Sequence, residues 1–261
     1  MASCFQLARS RIYHESKIEK RDAGFLVEIK KVMEDNPSYG SPRISIALQA
    51  NHKRVERVMK ANGIKAYRRR RKYFKPEDMK QEPAKYQNLI KKLCVIRPRI
   101  AYATDFTYIK FQGSMIYLAT VIDIFTREIV GYEISTRHTA KMMKRALEMA
   151  FKYGIPEYLH SDQGSEMKSE IYTTFAESRK VKISMSAKAC PWQNGFQESF
   201  YNGFKLDLGE VDQFETRGEL YEAIFRNINY YNNKRIHTAL KMAPKPFFSK
   251  YQAGNKLLKQ G

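Results

Sequence analysis

The sequence predicts an α/β fold, a mixed sheet flanked by helices, behind a small all-α segment. Three observations carry this. The stretches "AYATDFTYIKF", "SMIYLATVIDIF" and "EIVGYEIS" are rich in β-branched and aromatic residues and joined by short turns, which reads as an antiparallel meander. After them the pattern alternates helix, strand, helix, strand, helix, the plan that extends a sheet with crossover strands. Ahead of residue 101 the apolar residues fall at helical spacing, among many basic ones.

The first helix is expected in "IEKRDAGFLVEIKKVMEDN", where Leu26, Ile29, Val32 and Met33 share a face and Asn36-Pro37 ends it. After "PSYGSP", the stretches "RISIALQA" and "HKRVERVMKANGI" predict two short helices. Val55, Val58 and Met59 line one face of the second, and Asn62-Gly63 stops it. Two short helices across a turn, the second basic, fit a helix-turn-helix. Lys53, Arg54 and Arg57 would then face outward as DNA contacts, with Arg43 on the preceding helix. A small bundle with a solvated charged face fits the same spacing. Next comes "YRRRRKYFKPEDMKQEPAKYQN", in which Arg68, Arg69, Arg70 and Arg71 stand among aromatics with no apolar period. That segment reads as a linker tracking a phosphate backbone.

Beyond the three strands, "TAKMMKRALEMAFKYG" is an amphipathic helix with Met143, Ala146, Leu147, Ala150 and Phe151 on one side. Strand "EYLHS", helix "SEIYTTFAESRK", strand "VKISMS" and helix "NGFQESFYNGFKLDLG" follow. Thr216 and Glu219 form a capping box that starts a helix carrying Leu220, Ile224 and Ile228. The last segment, with Pro244 and Pro246, is expected to be an extended tail. The organisation predicted is residues 17–66 helix-turn-helix, 67–97 basic linker, 98–212 catalytic core, and 213–261 C-terminal helix and tail.

Charge narrows the partners. The 261 residues carry 47 Lys and Arg against 27 Asp and Glu, a net charge of +20. The first 100 residues hold 25 of those bases and only 10 of the acids, so the excess is concentrated at the front. A polyanion is the partner this favours, because neutralising phosphates releases condensed counterions. A membrane is disfavoured: no run of about 18 apolar residues occurs, and no signal-peptide pattern opens the chain. A cytoplasmic protein on nucleic acid is the expectation. Cys4, Cys94 and Cys190 lie far apart with no CxxC pair, which argues against a zinc site or disulfide framework.

Three acids stand where charge is unexpected. Asp105 lies inside the first strand, Asp162 follows the short strand "EYLHS" in "HSDQGSEM", and Glu198 lies in the helix "NGFQESFYNGFK". A buried carboxylate is costly unless hydrogen-bonded, paired or bound to a cation. Oxygen-only ligands from a first strand, a fourth strand end and a helix would suit Mg2+ or Mn2+, and such a site supports in-line attack at phosphorus. Each acid alone reads better as an ordinary strand-edge, turn or surface residue. The spacing adds that 35 residues separate Asp162 from Glu198, and that Lys205 follows Glu198 by seven, two helical turns on one face.

With those spacings the sequence resembles the DDE transposases of bacterial insertion sequences, in particular the second-frame product of the IS-three family with its retroviral-integrase-like core. "PSYGSPRISIAL" with "NHKRVERVMKANGIKA" is similar to the family's helix-turn-helix. "ATDFTYI", "HSDQGSEM" and "NGFQESFYNGFK" are similar to its three acidic motifs, and "YYNNKRIHTALKMAPKPFF" to its C-terminal signature with Tyr231, Asn232, Arg235 and His237. Two positions depart: Tyr102 stands where the family usually has Trp, and Gln193 where Asp is frequent.

The resemblance implies an RNase H-like core of five strands, with Asp105, Asp162 and Glu198 as catalytic metal ligands for Mg2+, or Mn2+ in its place. It implies cleavage of DNA at element ends and transfer of the 3′-OH to target DNA. Lys205 would contact DNA phosphate, and Trp192 and Asn194 would approach DNA beside Glu198. His160 and Gln163 flank the site, as substrate-orienting or structural residues. The implied partners are double-stranded DNA (terminal inverted repeats and target), further copies of the chain on that DNA, and a first-frame partner protein or fusion. The alternative is a helix-turn-helix regulator carrying an inactive RNase H-like domain.

Overall fold

A computed structural model describes residues 17–67, 85–187 and 190–257. The chain divides into two compact units, residues 1–68 and 69–261. Arg68, Arg69, Arg70 and Arg71 lie outside the described residues.

The first unit has three helices: α1 (Lys17–Asp35), α2 (Ser41–Ala47) and α3 (His52–Ala61). Phe25, Ile29, Tyr39, Ile44, Val55, Val58 and Met59 are buried together between them. Pro42 sits in the first turn of α2, where its missing N–H is harmless. Asn51 caps α3 by accepting the Lys53 N–H, and Gly63 follows that helix at φ +64°, a left-handed stop. One sequence expectation needs correction. Arg54 does not face outward: it lies 4.1 Å over the Phe25 ring and pairs with Asp22 of α1 at 3.3 Å. Arg57 reaches the same carboxylate while remaining half-exposed, and the Arg57 bond, ahead of the one from Arg54, holds the Asp22 carboxyl below its usual range. The reason is local: Asp22 is an acid within reach of both, and Phe25 offers a flat face for a guanidinium stem. Lys53 is exposed, and Arg43 stacks 5.6 Å from the Tyr39 ring.

The second unit is built on β1 (Ala101–Phe111), β2 (Ser114–Asp123), β3 (Ile129–Ser135), β4 (Tyr158–Ser161) and β5 (Lys182–Met185). Their order is β3-β2-β1-β4-β5. The first three pair antiparallel, and β4 and β5 add in parallel to β1. Between them run α4 (Ala140–Tyr153), the single turn α5 (Ser165–Lys168), which the sequence did not indicate, and α6 (Glu170–Glu177). Then α7 (Gly195–Leu208), α8 (Arg217–Asn233) and α9 (Pro244–Leu257) complete the unit.

Strand periodicity divides the core into two layers. Tyr102, Ala119, Val121, Val130, Leu159 and Ile183 face α4 and α6. Ile109, Ile116, Leu118, Ile122 and Ile129 face α7 and α8. Gly131 is where α4 crosses β3, and a Cβ there would stand 2.2 Å from the Ala146 carbonyl oxygen. Tyr102, the departure from Trp, is fully buried and donates its hydroxyl to the Gly154 carbonyl at 3.0 Å. No helix among the described residues is long and apolar enough to cross a membrane.

The expected extended tail is instead the helix α9. Pro244 and Pro246 fall in its first turn, where backbone N–H groups have no partner inside the helix, so proline is tolerated there. Phe247 and Tyr251 then pack their rings on Phe125 at the β2–β3 turn. The preceding segment fastens the end of α8. Asn232 accepts the Ile129 N–H at 2.9 Å and donates to the Ile129 carbonyl at 3.0 Å, clamping the backbone of the first β3 residue. Arg235 forms an ion pair with Asp207 of α7, with side-chain exposures of only 6% and 9%.

That buried pair is a testable dependence. Asp207→Ala leaves a guanidinium desolvated and uncompensated, which is expected to lower unfolding stability by about 3–5 kcal/mol. Replacing both partners, with Asp207→Leu and Arg235→Met, should restore most of it. Urea denaturation of the single and the double variant, beside the unsubstituted protein, measures this. A single variant within about 1 kcal/mol of the unsubstituted protein would mean the pair behaves as a solvated one.

Candidate active site

β1 has a parallel partner only over its first residues. Ala101, Tyr102 and Ala103 pair with Tyr158, Leu159 and His160, and β4 ends at Ser161. Asp105 is two residues past Ala103, and Asp162 two past His160. The two aspartates therefore stand at one level, on one face, where the strands part. Side chains two apart on a strand share a face, and neighbouring strands lie about 4.8 Å apart. Ligand sites of α/β sheets form at the carboxyl ends of parallel strands, where connections diverge.

The electrostatics record this proximity. Burial pushes the Asp105 carboxyl up to about 7, and the negative charge of Asp162, then that of Glu198, adds to the rise; the Phe106 N–H opposes it. Burial also raises Asp162, with the charge of Glu166 adding and the Gly164 N–H and Lys168 opposing. Like charges disfavouring each other's ionised form are the condition a divalent cation relieves. The donors within reach are carboxylate oxygens, the set a hard ion such as Mg2+ takes, so the residues fit that group. Glu198 is exposed in the first turn of α7. Among the described residues no three His, Cys, Asp or Glu side chains are grouped closely enough to hold an ion. The structure thus brings Asp105 and Asp162 together and leaves Glu198 at the rim.

Polar residues that the sequence reading passed over position these acids. Gln197 is fully buried; it donates to the Ala103 carbonyl at 2.7 Å and the Thr120 carbonyl at 3.2 Å, and its Oε1 accepts the Thr120 hydroxyl at 2.8 Å. One turn on, the Tyr201 hydroxyl donates to the Asp105 carbonyl at 2.8 Å and lies 2.8 Å from Thr120 Oγ1. These contacts fix the rotation of α7 on the sheet, and hence the direction of the neighbouring Glu198. The signal was present in the sequence: Gln197 and Tyr201 are i, i+4 partners, interrupting the face that carries Phe200 and Phe204.

His160 and Gln163 are staples. His160 is fully buried; its Nδ1 meets Ser184 Oγ at 2.9 Å and its Nε2 the Gln193 carbonyl at 3.2 Å. A carbonyl only accepts, so Nε2 carries the proton and Nδ1 accepts from Ser184. Gln163 donates to the Ser186 carbonyl at 3.2 Å. Gln193, the second departure from the family pattern, accepts from Asn88 at 2.8 Å and from the Ala187 N–H at 2.9 Å. It closes the loop by acceptor contacts that an Asp could also make.

Asn194 is not presented to DNA as expected. The 3-10 turn Pro191–Asn194 tucks it inside at 4% exposure, and neither side-chain amide atom has a partner. Trp192 rides on the same turn, its side chain outside the described set. Lys205 lies in the last turn of α7 with Nζ 5.2 Å from the ring of Tyr108, which is 57% exposed on the part of β1 that β4 does not cover.

Similarity to known proteins agrees with this architecture. A family model described as an integrase core domain matches residues 97–191, a second one with that description matches 179–244, and an HTH-like domain model matches 19–72. The chain is 31% identical over 250 residues to the putative transposase InsK for insertion sequence element IS150 of Escherichia coli, covering 90% of this chain and 87% of that protein. It is 34% identical over 237 residues to the transposase for insertion sequence element IS904 of Lactococcus lactis, covering 87% and 93%. Among solved structures, the HTLV-2 integrase catalytic core domain in complex with magnesium superposes with a TM-score of 0.50 at 18% identity, over 59% of this chain and 98% of that one. A simian T-cell lymphotropic virus intasome chain gives 0.53 at 14% identity, over 84% and 74%. The chain belongs to the bacterial insertion-sequence transposases with an integrase core domain.

His160 supplies a pH test of the site's scaffold. Burial pushes its pKa down from 6.5 to about 4. Between those values the unfolded chain binds the proton and the folded one does not. The stability held by neutral His160 is therefore complete above about pH 6.5 and lost as pH falls towards 4. Unfolding stability of the unsubstituted protein should fall relative to His160→Asn by up to about 1.4 kcal/mol per pH unit across that window. Denaturation curves that run parallel from pH 7 to 4.5 would show a solvated ring.

Proposed function

We propose that this transposase cleaves DNA at the ends of an insertion sequence and transfers the freed 3′-OH to target DNA, with Asp105, Asp162 and Glu198 holding Mg2+, or Mn2+ in its place. The observation that carries this reading is the placement of Asp105 and Asp162 on one face where β1 and β4 part, in a chain with an integrase core. When bound, a pair of such ions neutralises the phosphate and assists both the attacking and the leaving oxygen of an in-line displacement.

The protein's own contribution is position. Tyr201 holds the Asp105 carbonyl, and the Gly164 N–H fixes Asp162 through Oδ1 at 2.9 Å. Glu198 projects from the first turn of a helix that Gln197 locks to the sheet, so it can approach from the solvent side once DNA is present. Lys205 lies about 10.5 Å along the helix from Glu198 by helical rise, too far to share its ion and suited to a phosphate one or two nucleotides away. The exposed Lys53 and half-exposed Arg57 offer the helix-turn-helix unit's charge to element ends. Arg68, Arg69, Arg70 and Arg71 add sequence-independent phosphate contacts, on double-stranded DNA, in the bacterial cytoplasm and with further copies of the chain.

Asp105→Asn, Asp162→Asn and Glu198→Gln should each lower cleavage and strand transfer by three orders of magnitude or so in Mg2+, while binding to element-end DNA stays within about twofold. Labelled element ends assayed with and without Mg2+ measure both. A variant with undiminished turnover removes its residue from the set. If all three acids and Mg2+ are dispensable, the chain is a DNA-binding regulator with an inert core.

Lys205 is separable by charge. Lys205→Ala should weaken strand transfer mainly at subsaturating DNA and raised salt, and Lys205→Arg should largely recover it. An alanine variant that matches the unsubstituted protein under those conditions makes Lys205 ordinary surface.

A further inference from the structure

Asp162 stands beyond the end of β4 with no ladder partner, and the helix after it, α5, is one turn of four residues. A helix that short does not hold itself together in water. Something outside it must fix the segment. Glu166, on α5, is 9% exposed, and its Oε1 lies 2.6 Å from His138 Nδ1, in the connection between β3 and α4. Its other oxygen accepts from Ser165 at 3.0 Å, and its carbonyl accepts from Ser169 at 2.7 Å. Burial pushes the Glu166 carboxyl up, but bonds from His138, its own amide and Ser165 bring it below the usual range. An ionised carboxylate only accepts, so His138 Nδ1 is the donor.

The histidine is itself braced on the sheet. Its ring stacks on Phe106 with centroids 5.8 Å apart and planes at 14°, and lies 4.9 Å from the Tyr117 ring. Phe106 follows Asp105 in β1 and donates its N–H to Asp105 Oδ1 at 2.8 Å. A continuous series of contacts therefore runs from Asp105 through Phe106 and His138 to Glu166 and the segment that bears Asp162. Phe106 belongs to the α4 and α6 layer, so the brace works from behind the sheet, opposite the face that carries the acids.

We infer that the His138–Glu166 pair is a positioning latch that holds the Asp162 segment against β1 and so sets the spacing of Asp162 and Asp105. The consequence for metal loading rests on the reading that these two aspartates hold the ion. His138 and Glu166 are positioning residues, since neither needs to touch DNA or metal. Residues that orient first ligands typically change metal affinity 10–100-fold when replaced. Glu166 also keeps its charge partnered by His138, which limits the negative field it adds at Asp162.

The variants separate donor from packing. His138→Phe keeps a ring against Phe106 and Tyr117 and loses the donor; Glu166→Gln keeps size and loses the charge. His138→Asn places an amide N–H near the former Nδ1. Hydrogen exchange of amides 163–169 in metal-free protein reads the latch directly, and the Mg2+ dependence of strand transfer reads its consequence. In His138→Phe and Glu166→Gln the amides should exchange faster, and half-maximal Mg2+ should rise about tenfold, with DNA binding unchanged. His138→Asn should recover part of both, and the double variant should be no worse than either single one. Unchanged exchange overturns the latch, as does faster exchange with an unmoved Mg2+ curve, or additive losses. Asp105→Asn serves as the separate control. If it transfers strands normally, the metal reading fails, and amide exchange still decides on the latch.

Discussion

Two carboxylates at one level of adjacent strands, in a half-buried site, are the constraint around which the catalytic unit is organised. At the strand spacing of about 4.8 Å and an effective dielectric of about 20, two ionised carboxylates repel by roughly 3 kcal/mol. That repulsion opposes the fold, and it adds to the burial that raises the Asp105 carboxyl to about 7. It is tolerated because surrounding groups deny both residues an escape. The Tyr201 hydroxyl holds the Asp105 backbone, the Gly164 amide holds Asp162, and Gln197 and Thr120 hold the helix that covers them. On the proposed function, a site that resists relaxation would be complementary to a cation before it arrives.

Rigid placement of this kind requires stability supplied elsewhere. The two apolar layers provide most of it, and the C-terminal segment provides specific closure. Asn232 takes both backbone polar groups of Ile129 in β3, and Arg235 pairs with Asp207 in a place with almost no solvent. The residues that bear the C-terminal family signature thus act, here, on the seating of α7 and α8. Their link to chemistry is indirect: α7 carries Glu198 and Lys205, and an α7 free to roll would lose the direction of both.

Much of this was legible in the sequence, for physical reasons. Strand alternation and helical spacing report burial, so the five strands and most helices were readable, as was Asp105 interrupting an apolar strand. What was missed depends on partners distant in sequence. Pro244 and Pro246 looked like breakers because their position within a first turn is visible only once α9 packs Phe247 and Tyr251 on Phe125. Arg54 looked outward because helical spacing alone does not reveal Asp22, 32 residues earlier, or the Phe25 ring. Asn194 looked like a DNA contact, yet its turn folds it inward. Gln197 and Tyr201 could have been found by asking why polar groups interrupt the apolar face of α7.

The distribution of charge completes the argument. Of the chain's net +20, most lies in the first 100 residues, while residues 101–261, which carry the three acids, hold a net of only +5. Within the helix-turn-helix part of that basic region, Arg54 and Arg57 are partly committed to Asp22, so the unit is less cationic toward DNA than its composition suggests. Its outward charge is left to residues such as Lys53, with the run Arg68–Arg71 following in sequence. Counterion release on a polyanion would then fall mainly to the basic front, and residues 101–261 are spared a strong positive field beside their carboxylates. On the proposed function, this separation along the chain would let phosphate contacts and a cation at Asp105 and Asp162 coexist in one protein.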